Sequence, residues 1–86
     1  MVKIWIISFD EVSDGDFTRN SPLAFRDKEK AMEMLKTYKE ALKNDYAREL
    51  DEGYYFYDEG EYIAEVYGEE YSRDHFTVML NCVSLN

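Results

Sequence analysis

The chain has 86 residues, 19 of them acidic and 10 basic, with a formal net charge of -9. A length below the usual domain mode of about 100 to 150 residues predicts a single domain over residues 1–86 with one hydrophobic core, and leaves no room for a second. Cys82 is the only cysteine, which excludes an intramolecular disulfide framework, and the acidic excess argues against direct binding to nucleic-acid phosphates or anionic lipid.

The first predicted element is a strand from Val2 to Phe9, rich in β-branched and aromatic residues. Ile6 and Ile7 are consecutive, so the alternation is imperfect, as in a strand covered on both faces or packed on a partner. The apolar run here is four residues long, Ile4 to Ile7, too short for a signal-peptide core or for the roughly 20 residues of a membrane span. A cytoplasmic protein with no membrane association is expected.

Asp10 to Asn20 carries Asp, Ser, Gly and Asn and predicts a loop or a wide hairpin connection. Its acids invite a calcium reading. With Asp10 at position one of an EF-hand loop, Gly15 falls at six, but Val12 stands at three and Ser21 at twelve, which removes one ligand and the bidentate glutamate. A solvated acidic loop is the simpler expectation.

Leu23 and Phe25 at a spacing of two suggest a short strand, and Asp27 is placed to cap the helix that follows. From Lys28 onward Ala31, Met34, Leu35, Tyr38, Ala41 and Leu42 recur at helical spacing and form a stripe that must be buried. Asn44 and Asp45 interrupt the stripe, which resumes at Tyr46 and Leu50; the helix therefore extends to about Glu49 or bends into a second short one. Gly53 is suited to a left-handed cap.

The remainder reads as three strands. Tyr54 to Tyr57 is an aromatic block and Asp58 to Gly60 a turn. From Glu61 to Tyr67, Tyr62, Ala64 and Val66 alternate with Glu61, Ile63, Glu65 and Tyr67, and Gly68 to Asp74 is a polar connection. In the last strand, His75 to Leu85, Phe76, Val78, Leu80 and Cys82 share one face. The expected fold is α+β: a small antiparallel sheet of four to five strands, in the order β, a second short β, α, β, β, β, packed on one face by one long amphipathic helix.

No constellation of catalytic residues emerges, and the chain is not expected to be an enzyme. His75 beside Asp74 is the sole histidine, and Cys82 lies on an apolar row where a small buried hydrophobe is expected. These two are the only soft metal ligands, so neither a metal nor a cofactor is expected. The four glycines are isolated and form no phosphate-cradling motif.

The charge is localised. Residues 1–48 carry nine acids and nine bases, residues 49–74 carry ten acids and only Arg73, and no Asp, Glu, Lys or Arg follows His75. Six of the eight tyrosines also fall between Tyr54 and Tyr71. Tyrosine supplies rigid contact area with a polar end, and clustered carboxylates steer basic partners. The leading expectation is thus a non-catalytic protein-binding domain whose acidic, tyrosine-rich face, formed by Tyr57, Glu61, Glu65, Tyr67, Glu69 and Tyr71, docks a protein with a basic surface. One alternative is an inhibitor of phage or mobile-element type that mimics nucleic acid, with Glu59, Glu61, Glu65 and Glu69 spaced like phosphates. A structural homodimer is the other.

Overall fold

A computed structural model describes residues 2–85. It is a small α+β domain built from strands β1 (Val2–Ser13), β2 (Asp16–Phe25), β3 (Tyr55–Glu59), β4 (Ile63–Gly68) and β5 (His75–Leu85), with helices α1 (Lys28–Asp45) and α2 (Ala47–Asp51) between β2 and β3. The strands form one antiparallel sheet in the order β2-β1-β5-β4-β3. The last strand therefore lies at the centre, between the two hairpins. No helix of the described residues is long and apolar enough to cross a membrane.

The loop expected over Asp10 to Asn20 is instead almost entirely strand. Asp14 and Gly15, with φ of 51° and 84°, turn the chain within two residues. Positive φ at both central positions is the geometry whose twist matches paired strands, and Asp-Gly is among the pairs that adopt it most easily. The polar character of this hairpin reflects its exposure at the sheet edge, where β2 is exposed at every residue but Phe25. Gly15 N–H donates to the Arg73 carbonyl at 3.0 Å and Arg73 pairs with Asp14 at 3.2 Å, which ties the hairpin tip to the β4–β5 connection. Asp10 pairs instead with Arg19 at 2.9 Å, so the acids of the suspected calcium loop are separated along a hairpin.

Helix α1 begins as expected: the Asp27 carboxylate accepts from the Glu29 amide at 2.9 Å, satisfying a free donor of the first turn. Ala31 and Leu35 are buried, and Met32, Tyr38 and Leu42 pack against the same core. Met34 and Ala41, expected on the stripe, are exposed; the buried stripe is rotated towards Met32. The break comes at Tyr46, whose ring stacks on Phe76 at 4.4 Å, and α2 ends before Gly53 at φ 80°.

The helix covers one side of the sheet. Ile7, Ala64, Val66, Phe76, Val78 and Leu80 face it and are buried. Cys82 continues that row but is exposed, contrary to expectation. The first turn of α1 lies over Trp5, with Lys28 Nζ 5.2 Å from its ring, and Trp5 is the partner of Cys82. Cover runs out there, and the row leaves the core.

Candidate functional site

The side of the sheet away from the helix is open, and its residues form transverse bands. Register carries one band from Phe17 through Val12, His75 and Tyr67 to Phe56. The next runs from Arg19 through Asp10, Thr77 and Glu65 to Asp58. Each band crosses all five strands, so residues distant in the chain share one surface.

At the β3–β4 end the two bands merge into a patch of rings and carboxylates. Phe56 and Tyr67 have ring centroids 5.8 Å apart, and Tyr67 and Tyr71 are 5.9 Å apart. Tyr71 comes from the β4–β5 connection, which folds back so that its ring stacks on His75 at 3.9 Å. Tyr67 Oη donates to Asp58 Oδ2 at 3.0 Å, and Tyr71 Oη donates to Glu65 Oε1 at 2.9 Å. His75 Nε2 lies 2.6 Å from Tyr71 Oη, 2.6 Å from Thr77 Oγ1 and 3.7 Å from Glu65 Oε1. Tyr71 has one hydroxyl proton. Given to Glu65, it leaves the phenol oxygen to accept from a protonated Nε2.

Asp58 and Glu65 are direct cross-strand partners on this open face. Like charges in that position lie about 5 Å apart at Cβ and destabilise a sheet. No lysine or arginine among the described residues pairs with either carboxylate; the two tyrosine hydroxyls and His75 are their side-chain partners. The phenols respond to this environment. Burial, then the hydrogen bond to Glu65 and its charge, push Tyr71 up to about 12, and the hydrogen bond to Asp58, followed by desolvation and nearby negative charge, raises Tyr67 as well. Both hydroxyls therefore remain donors throughout the neutral range.

The six residues expected to form one face do not. Glu65, Tyr67 and Tyr71 come together, but Tyr57 pairs with Val66, faces the helix and packs against the core. Its hydroxyl bonds Glu59 at 3.3 Å while Lys43 Nζ lies 5.0 Å from its ring; burial and the Glu59 charge push this phenol up to about 12. Glu61 precedes β4 in the turn, where its carbonyl accepts from Lys39 Nζ at 3.2 Å, and Glu69 is exposed beyond the end of β4. The row of four phosphate-like carboxylates is not formed either, because Glu59 pairs with Ala64 on the helix side whereas Glu65 is on the open side.

Phe56, Asp58, His75 and Thr77 belong to the patch and were missed. The signal for the first two was the hairpin register. A four-residue turn from Gly60 to Ile63, rather than Asp58 to Gly60, places Asp58 opposite Glu65 and Phe56 opposite Tyr67. A cavity of about 200 Å³ lies elsewhere, between α1 and the sheet, with Phe9, Tyr38, Leu42 and Tyr46 in its wall. No grouping of three or more His, Cys, Asp or Glu suited to a metal ion occurs among the described residues. The chain matches no protein-family model, no curated protein and no solved structure.

Proposed function

We propose that this chain is a non-catalytic protein-binding domain that docks a partner with a basic surface on Phe56, Asp58, Glu65, Tyr67 and Tyr71. The observation that carries this reading is the Asp58–Glu65 pair, two like charges opposite one another on an open sheet face with no lysine or arginine among the described residues to offset them. A sequence optimised only for folding gains by placing a base in such a position. An arginine or lysine from a partner would sit between the carboxylates, while the flanking phenol rings provide flat contact area and a face for a cation. The ten acids against one base over residues 49–74 would steer that partner towards this end.

The test is capture from source-cell lysate by three forms of the protein: wild type, Asp58→Lys with Glu65→Lys, and Glu29→Lys with Glu33→Lys. The last pair makes the same charge change on the exposed side of α1. A stoichiometric basic protein lost only by the sheet variant, with binding that weakens as salt rises, is the expected result. Equal loss in both variants would reduce the effect to net charge, and undiminished binding by the sheet variant would reject the site.

A further inference from the structure

The open face has a second end, of different chemistry. Beyond the polar band, Ala24, Ile6 and Asn81 form a row, followed by Ile4 opposite Val83 and Val2 opposite Leu85. Met79 and Ile63 pair on the same side and join this region to the bands. None of these residues is charged. Val2, Val83 and Leu85 expose 53%, 40% and 50% of their surface, although each is a strand residue with an apolar side chain.

The molecule as a whole is less compact than its length predicts. Its accessible surface is 6050 Å² for a mass of 10.2 kDa, against about 5,300 Å² for a compact monomer of that mass. The radius of gyration is 13.9 Å, where about 12 Å is usual for this length. The longest dimension is 46 Å, and β1, with 12 residues, spans about 40 Å at the usual rise of a strand. The excess, roughly 700 Å² over the whole molecule, is of the same order as the 800 Å² or so that each partner contributes to a standard interface.

We propose that the aliphatic end of the open face joins two copies of this chain, packed face to face through Ile4, Ile6, Val83 and Leu85. A two-fold interface must be self-complementary, and an uncharged apolar surface satisfies that condition whereas the acidic patch does not. An antiparallel arrangement about the aliphatic ends carries the two Asp58–Glu65 pairs to opposite extremities. Repulsion between chains of net charge -9 is thereby kept small, and both acidic patches stay free. A basic partner gains nothing from the named residues of this end, none of which is charged. The dimer does not depend on the docking reading above, and each has its own variants.

Sedimentation equilibrium under reducing conditions tests it, since exposed Cys82 is then unable to create a dimer by disulfide exchange. At about 50 µM the wild type should sediment at twice 10.2 kDa, and Val83→Lys and Ile6→Lys should each weaken association at least about tenfold. Their far-UV circular dichroism should be unchanged. Added salt should tighten the dimer or leave it unaffected by screening the two acidic chains, opposite in sign to its effect on a basic partner. A wild type monomeric at about 500 µM overturns the proposal, because an interface of standard size should be populated there. Undiminished association in folded Val83→Lys overturns it too, and that variant decides alone if Ile6→Lys fails to fold.

Discussion

The two faces of this sheet are made from the same strands yet obey different rules. On the helix side, Ile7, Ala64, Val78 and Leu80 meet Ala31 and Leu35 in a continuous core. On the other side no element of the described residues lies across the sheet, and side chains are ordered in bands that differ in chemistry from one end to the other. Alternation along a strand divides residues between faces, but the use of each face depends on what covers it. A small domain with one long helix has enough cover for one face only.

Mutation should separate the faces by size of effect. Leu35→Ala removes a side chain only 1% exposed and is expected to cost about 2–5 kcal/mol, a large part of the 5–15 kcal/mol typical of a domain. The cost should be read by urea denaturation, in dilute conditions where self-association is absent. The same truncation at Ile6 on the open face should cost under about 1.5 kcal/mol, and equal costs would break the comparison.

Alkaline titration acts on both faces. Burial and nearby carboxylates raise Tyr46 and Tyr57 on the helix side, and Tyr71 on the open side, to about 12. In the unfolded chain these phenols lose protons near their ordinary value of about 10, so between pH 10 and 12 the folded state holds more protons. The stability they confer is complete below pH 10 and is lost as pH rises through 12. Tyrosinate absorbance near 295 nm should show a late-ionising group, and denaturation midpoints should fall over the same interval. A single transition near 10 in the folded protein would contradict this.

A smaller effect is expected at the hairpin tip, where Gly15 has φ 84° and nothing within 4 Å of an added Cβ. Gly15→Ala should therefore destabilise through backbone strain alone, by about 1 kcal/mol in thermal or urea unfolding. The smallest effect has the opposite sign. Asp58→Asn removes the like-charge repulsion with Glu65 while retaining an acceptor for Tyr67, and should leave stability unchanged or raise it by about 0.2–0.5 kcal/mol. The same substitution should weaken capture of a basic partner. Clear destabilisation by Asp58→Asn would mean that the carboxylate serves the fold.

Much of the architecture was legible in local pattern. Asp27 as helix cap, the strand leading to Phe25, the left-handed Gly53 and the final strand from His75 all follow from short-range chemistry, and of the two courses open to the helix after Asn44 and Asp45 the chain takes the bend into a second short one. The hairpin at Asp14-Gly15 was equally local and was obscured by the polarity of its flanks, since an edge strand need not be hydrophobic. Of the candidate site, Glu65, Tyr67 and Tyr71 were legible because strand alternation marks Glu65 and Tyr67, and the tyrosine density marks Tyr71. Tyr57 was misplaced and Asp58 overlooked for one reason. Glu59 pairs with Ala64, so four residues lie between the last paired positions where three were expected, and that odd change turns Tyr57 to the helix side and sets Asp58 opposite Glu65; the turn is poorly specified by a run as polar as Asp58 to Glu61.

The amino-acid sequence by itself determined the class of fold, the acidic character of residues 49–74 and the amphipathic face of α1, because composition and periodicity act over a few neighbouring residues. Only the tertiary structure decided that β5 lies between β1 and β4, that Cys82 falls beyond the reach of the helix, and that Asp58 meets Glu65 beneath two tyrosines. Those outcomes depend on strand order, register and the length of the covering helix. They are set jointly by segments far apart in the chain, as each gains by burying apolar surface against the others.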